Sequence, residues 1–502
     1  MRIRSALPAL GLALLVATGT AGATPIAGPP VGHWGSVGSA IPPLFPAGSF
    51  PWVVGSAIGP DGRLYAYGGF SDAGGDSTAD GIAVFDPALG RWAGLGSDGA
   101  GDGALNGQVM AITWVNGLLY AGGSLDVRGT DTNIPPANLA AWNGTTWTER
   151  GPAGALTNSV NALATANGVL YAGGGFQDAG GDPTADYLAS FDGYAWHGVG
   201  SNGASDGALN GGVYALQAMP DGRLFAGGYL TDVGPGGLGD GVAWWDPDTA
   251  SWNAVGGGAA GDSVFSGLVR TIHVVGSKVY VGGSFIGAAG NAKADYAAVW
   301  NGAAWTGLGA NVAGTGSAIN GDVFDITTYG SNVIVSGDFT DAGGVAAADR
   351  VAAWNGSKWM ALGSPGPDDQ VWGLTLAGRT LIAGGTFMTV GGLTGARALA
   401  AYGLPAPPTA PRSLVGSARP KWISLTWKAP ASMNGGGPLR GYTVQYRKLG
   451  TTAWRTFTAG VPYTAWSTSI GIKKGVTYQF RVLARNDWGL GASSAVVTVK
   501  AQ

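Results

Sequence analysis

The chain of 502 residues contains no cysteine, which removes disulfides, thiolate metal sites and a cysteine nucleophile together. Glutamate is almost missing as well: Glu149 is its single occurrence, so carboxylate chemistry falls to aspartate. The three histidines, His33, His197 and His273, are scattered along the chain, a poor basis for a shared metal centre. Long apolar runs are absent too. The run at residues 6–16 is well short of the ~20 residues that span a bilayer. With Arg2 and Arg4 before it and Ala21-Gly22-Ala23 after it, the segment 1–23 has the layout of a cleavable export signal. The expectation is a secreted, extracellular or cell-surface protein with no membrane span, and a monomer.

Charge is sparse and unevenly divided. From 24 to 405 there are 12 Lys plus Arg against 29 Asp plus Glu, a net of −17; from 406 to 502 there are 13 against one, Asp487, a net of +12. Such asymmetry suggests two modules that have different partners or attract each other.

Glycine is abundant, 93 residues, and falls at fixed places. The stretch 160–200 has four apolar runs of strand length, a Gly-Gly after the second, an aromatic in the third and a Trp in the fourth. Its variants recur seven times. Gly pairs begin at Gly68, Gly122, Gly174, Gly227, Gly282 and Gly384, with Gly337-Asp338 as a degenerate copy. The fourth-run Trp residues are Trp34, Trp92, Trp147, Trp196, Trp252, Trp305 and Trp359. Trp34 stands before any complete unit, and the last unit reaches Tyr402 without a fourth run. The N-terminal strand is therefore expected to complete the last unit. Four short strands every ~50 residues is the signature of a propeller blade. The fold class expected is all-β, a seven-bladed β-propeller over 33–403, with an immunoglobulin-like β-sandwich after it.

The units resemble kelch-type propellers, the class of the galactose oxidase central domain. Leu64-Tyr65-Ala66-Tyr67-Gly68-Gly69, then Phe85-Asp86-Pro87 and Trp92, follow that family's order, and Ala141-Trp142-Asn143-Gly144-Thr145-Thr146-Trp147 resembles hairpins of exported bacterial Gly-rich propellers. That resemblance implies a fold and is nearly silent on function. The copper chemistry of galactose oxidase requires a Tyr crosslinked to Cys, which this chain lacks. Residues 404–411 read as a stiff Pro-rich linker. Residues 412–502 resemble a fibronectin type III domain, with Trp427 as core Trp and Tyr478 at the tyrosine corner.

Asn-Gly and Asp-Gly hairpin turns line one propeller face, with both turn residues suited to positive φ; longer, Asp-rich loops line the other. Asp80, Asp186, Asp240, Asp295 and Asp349 each precede a third-strand aromatic by five residues, and Asp72, Asp178, Asp232 and Asp341 follow the Gly pairs. A catalytic carboxylate has no reason to recur in five units, whereas a turn cap does. The loops 96–103 and 200–207 look like calcium loops but lack a closing Glu. No cofactor is expected, with calcium on Asp and backbone carbonyls the alternative. No catalytic or metal-ligating set is assigned. The candidate ligand-binding residues are Asp98, Asp102, Asp206 and Arg128 in the propeller, and Lys473, Lys474, Arg485 and Trp488 in the sandwich. Trp488 is taken as a loop residue suited to stacking on sugars. The function expected is non-catalytic binding or adhesion, with a polysaccharide, an anionic cell-surface polymer or a surface protein as partner; nucleic acid is disfavoured. A glycosidase or lyase using two loop Asp residues, and a structural envelope component, are the alternatives.

Overall fold

Period-two apolar patterning folds into strands, and among the described residues no long helical stripe competes with them. A computed structural model describes residues 31–37, 44–45, 51–87, 89–127, 137–151, 154–203, 206–231, 233, 240–256, 264–469 and 471–502. The segment 1–23, Arg128 and Asp232 lie outside the described residues. Apart from short 3-10 turns at Ala73–Gly75, Ala179–Gly181, Ala288–Gly290 and Ala342–Gly344, the regular structure is all β.

Seven antiparallel sheets of four strands occupy the acidic part. The first joins Trp52–Ile58, Leu64–Gly69, Ile82–Asp86 and Arg91–Gly94 in that order, and the next five repeat its plan. The seventh takes Val371–Ala377, Thr380–Gly385 and Leu399–Gly403 from the end of the repeats and Trp34–Ser36 from the start, with Trp34 opposite Tyr402. The first strands, Trp52–Ile58, Leu105–Val115, Val160–Ala166, Val213–Ala218, Val269–Val275, Val323–Tyr329 and Val371–Ala377, each pack on the next, and the last packs on the first.

Five of the recurrent Trp residues tie neighbouring sheets together, while the buried indole N–H of Trp196 has no partner among the described residues. The indole N–H of Trp147 donates to Leu95 O at 2.6 Å, that of Trp252 to Val199 O at 2.8 Å, and that of Trp305 to Val255 O at 3.1 Å. Trp359 donates to Leu308 O at 2.8 Å. In each case a buried ring reaches back one sheet, satisfying a donor that burial would otherwise strand. Trp34 does the same across the chain's two ends, donating to Leu362 O at 2.6 Å.

The hairpins differ from expectation in one detail. In the first-to-second turns of the second and third sheets both residues take positive φ, Asn116 at 51° with Gly117 at 82° and Asn167 at 51° with Gly168 at 78°, whereas at Asp61-Gly62 and Asp221-Gly222 only the glycine does. The third-to-fourth turn of the fourth sheet, which has no glycine, puts Ala250 at φ 49°, and in the Asn-Gly third-to-fourth turns only the glycine takes positive φ, as at Gly356 with φ 91°. There the Asn caps instead: Asn355 Oδ1 accepts from Ser357 N and Lys358 N, both at 3.0 Å. Its short amide satisfies the turn without adopting the left-handed conformation.

The basic part is a sandwich of a three-stranded sheet, built from Arg412–Arg419, Trp422–Lys428 and Ala465–Thr468, on a five-stranded one. The latter joins Arg455–Val461, Gly441–Lys448, Thr477–Asn486 and Gly489–Ser493, with Val497–Lys500 also on Thr477–Asn486. Alternate residues point inward, so Ile423, Leu425, Trp427, Tyr442, Val444, Tyr478, Phe480 and Val482 form its core. The Tyr478 hydroxyl accepts from Lys473 N at 3.1 Å, fastening the loop before its strand. Residues 406–409 run along the sandwich rather than free of it: Ala406 bridges Gly435, and Thr409 N donates to Ser432 O.

Candidate functional site

The Asp-rich loops are held together from within. Asp80 accepts from Asp72 N at 3.1 Å, Asp186 from Asp178 N at 2.9 Å, Asp295 from Gly287 N at 2.6 Å and Asp349 from Asp341 N at 2.7 Å. The capped residue sits at φ 54° in Asp72 and 51° in Asp178. Second oxygens reach the next connection, Asp80 to Gly103 N and Asp186 to Gly207 N, both at 3.2 Å.

The three predicted loop carboxylates join this scaffolding. Asp98 Oδ1 accepts from Ala100 N at 2.7 Å and Asp102 N at 3.1 Å, while Asp102 and Asp206 each accept from the following glycine. Asp102 also meets Asp80, and Asp206 meets Asp186, carboxyl to carboxyl. Burial, then the facing carboxyl, pushes Asp80 and Asp186 above the usual carboxylate range. Backbone donors filling these oxygens compete with any cation. Among the described residues no group of three or more His, Asp or Glu side chains is arranged to hold a metal ion.

The predicted sandwich residues do not form one site. Lys473 and Lys474 are exposed before the strand Thr477–Asn486, and Arg485 is exposed at its far end, roughly 25 to 30 Å away at ~3.3 Å per residue. Trp488 requires correction: it is only 5% exposed, and its burial removes the ring from any sugar. Its ring meets Tyr329 edge-on at 6.1 Å, and its carbonyl accepts from the Asn332 amide at 3.3 Å. Beside it, Asp487 takes a bidentate pair from Arg440, at 2.8 and 3.0 Å, and a salt bridge from Lys358 at 3.0 Å. The Asp487 carbonyl accepts from the Asn355 amide at 3.2 Å. The turn at 487–488 thus plugs the sandwich onto the tight-turn side of the sixth sheet.

With Asp487 engaged there, the outward face of the five-stranded sheet has no carboxylate of its own. On it, Trp454 lies 4.5 Å from the Arg447 guanidinium and 4.3 Å from that of Arg481. Gln479 accepts from Arg447 Nε and Gln445 from Arg481 Nε, both at 2.8 Å. Burial, then the neighbouring Arg447, lowers the Arg481 pKa. Among the described residues neither guanidinium has an ion-pair partner. Both are aligned by a side-chain amide and a ring, with terminal N–H groups to spare. The sequence reading missed this trio because no local motif links positions 447, 454 and 481; the strand alternation that puts 447 and 481 on one face was the available signal.

A second missed feature lies where the seven first strands converge. A cavity of about 320 Å³ is lined by Asn161, Tyr214, Arg270, Phe324, Asp325 and Trp372, among others. Asp325 is half-buried there, and desolvation raises it to about 6, against hydrogen bonds from Leu374 N, Ile326 N and the Thr271 hydroxyl.

Comparison with known proteins covers the sandwich. Residues 407–500 match the fibronectin type III domain family, so the C-terminal part of this all-β chain is a fibronectin type III domain. Protein turtle of Drosophila melanogaster is 33% identical over 18% of this chain and 6% of its own length. Human neogenin is 38% identical over 19% of this chain, and human cell adhesion molecule-related/down-regulated by oncogenes 31% over 17%. The matched segment spans 6% of each of those two proteins as well. Among solved structures, an Fn3-like protein from Clostridium thermocellum is 19% identical over 19% of this chain and 96% of that one, with a TM-score of 0.17. Among the described residues no helix is long and apolar enough to cross a membrane.

Proposed function

We propose that this chain is an exported, non-catalytic binding protein, in which the seven sheets are blades of one β-propeller scaffold and the fibronectin type III domain contacts an acidic polymer at a cell surface. The carrying observation is the Arg447–Trp454–Arg481 face: two guanidiniums held side by side with no carboxylate to neutralise them. Like charges held together repel, and planar guanidinium forks suit carboxylate or sulfate groups. The propeller reading is supported by the cyclic packing of first strands and by the Trp34 bond across the chain ends. The non-catalytic reading is supported by the loop carboxylates, which occupy one another and backbone N–H groups in repeated fashion. A glycosidase pair stands ~5 to 9.5 Å apart with a sugar between. The matched relatives include a protein named for cell adhesion, which agrees with a surface-binding role.

The test is affinity electrophoresis of the full chain in gels containing polygalacturonate or neutral dextran. Retardation by polygalacturonate alone is expected, weakening as salt shortens the screening length from ~10 Å at 0.1 M to ~3 Å at 1 M. The double substitution Arg447→Gln, Arg481→Gln should release the protein, whereas Lys473→Gln with Lys474→Gln should change little. Equal mobility in both gels at low salt would remove the polymer-binding role.

A further inference from the structure

Every first strand slips its pairing at one residue. The extra residues are Val54, Met110, Asn161, Tyr214, Arg270, Phe324 and Trp372. A bulge leaves its extra residue outside the ladder and re-aims its side chain, and all seven line the one central cavity. The residue before each bulge is always Val, and each of these seven valines is fully buried, from Val53 to Val371. Constant and variable positions therefore stand side by side. Were the bulge residues only filling space, a repeated frame would call for a repeated filler, as it does for the valines and the fourth-strand Trp residues. Instead the seven positions hold six apolar, polar and aromatic side chains and one cation, all different.

Their arrangement is lopsided. From the fifth sheet round to the first, the Arg270 guanidinium lies 5.5 Å over Phe324, Phe324 stacks on Trp372 at 4.2 Å and 15°, and Trp372 meets Trp52 edge-on at 5.2 Å. Met110, Asn161 and Tyr214 complete the lining from the second to fourth sheets. Among the described residues, the indole N–H groups of Trp52 and Trp372 and Nε of Arg270 are buried without a hydrogen-bond acceptor. Asp322 stands 3.8 Å from Arg270 Nε, an ion pair too long for a hydrogen bond. Asp325 also faces the cavity, but its oxygens are already taken by two backbone N–H groups and Thr271. Those three atoms are sealed by the surrounding side chains, so what the cavity itself offers is the Arg270 side chain, 29% exposed, and an aromatic wall, with space for about ten waters at ~30 Å³ each.

We infer that this cavity binds a small organic anion, its oxyanion taken by Arg270 and its flat apolar body packed between the Phe324–Trp372 wall and Met110. A partly exposed guanidinium in the lining favours an oxyanion, and the aromatic wall favours a flat carbon skeleton over an inorganic ion. This site is separate from the fibronectin type III face and does not depend on polymer binding.

Calorimetry of the full chain with 1-naphthoate, 1-naphthalenemethanol and 1-naphthylmethylamine tests it. Naphthoate should bind at least ~10-fold more tightly than the alcohol, and the amine should not bind. Arg270→Gln should erase the preference for naphthoate over the alcohol, and Met110→Trp, which fills the cavity and leaves Arg270 in place, should abolish binding of both. Each variant's melting temperature identifies misfolding, and Met110→Trp decides the matter if Arg270→Gln proves unstable. The inference fails if wild type ignores naphthoate at millimolar concentration, if the three probes bind alike, or if a well-folded Met110→Trp variant binds naphthoate unchanged.

Discussion

At the scale of single residues, the recurrent Trp is an apolar filler and a donor at once, and the two roles separate by substitution. Trp34→Ala should cost roughly 3 to 5 kcal/mol through the cavity it leaves. Trp34→Phe keeps most of the ring and strands the Leu362 carbonyl, a loss of about 1 to 3 kcal/mol. Chemical denaturation of both variants distinguishes them. Asp325 supplies a pH signature. Its folded pKa of about 6 lies above its unfolded value, so the folded state holds the extra proton and this stabilisation is complete below the unfolded value, near 3.9. It is lost as pH rises through 6. The melting-temperature advantage of wild type over Asp325→Asn should therefore shrink between pH 4 and 7; a constant difference would place the titration elsewhere. The Trp period was legible because one large residue recurs at a fixed place in each unit. Trp488 was misread because a loop position says nothing about a second domain packed over it.

Among the elements, the strand Trp34–Ser36 matters beyond its three residues. Without it the strand Leu399–Gly403 becomes an open edge, and open edges invite pairing between molecules. Deleting residues 32–37 should lower the melting temperature and produce oligomers by sedimentation, whereas an unchanged monomer with unchanged melting would show that the seventh sheet does not need its N-terminal strand. This strand was legible because Trp34 is a fourth run with no first three and Tyr402 ends a unit with no fourth. The bulges were not. First strands already mix polar residues such as Asn161, Arg270 and Asp325 among their apolar ones, so one extra residue leaves no readable break in the alternation, and only the contrast between a constant Val and its changing neighbour marks the spot.

On the scale of the whole molecule, the two domains meet in an ion pair at Lys358 and Asp487. The only acidic side chain of the fibronectin type III domain, Asp487, is spent on Arg440 of its own domain and Lys358 of the other. Beside it, Trp488 meets Tyr329 and joins a buried cluster of the sixth and seventh sheets, and two amides, Asn332 and Asn355, donate to the carbonyls of the 487–488 turn. The contact at the 487–488 turn is therefore expected to set the orientation, with the attraction expected from −17 and +12 acting as a diffuse field around it. Arg440, then Lys358, hold the Asp487 carboxyl below the usual carboxylate range, so its contribution is present above the unfolded value and is lost as pH falls through the lowered one. Trp488→Ala should free the domain at neutral pH: the maximum dimension from small-angle X-ray scattering grows. Asp487→Asn should open it partly at neutral pH and leave little further change on acidification. If Trp488→Ala keeps the wild-type scattering profile at both low and high salt, the plug is not what aligns the domains, and the diffuse field would have to hold them.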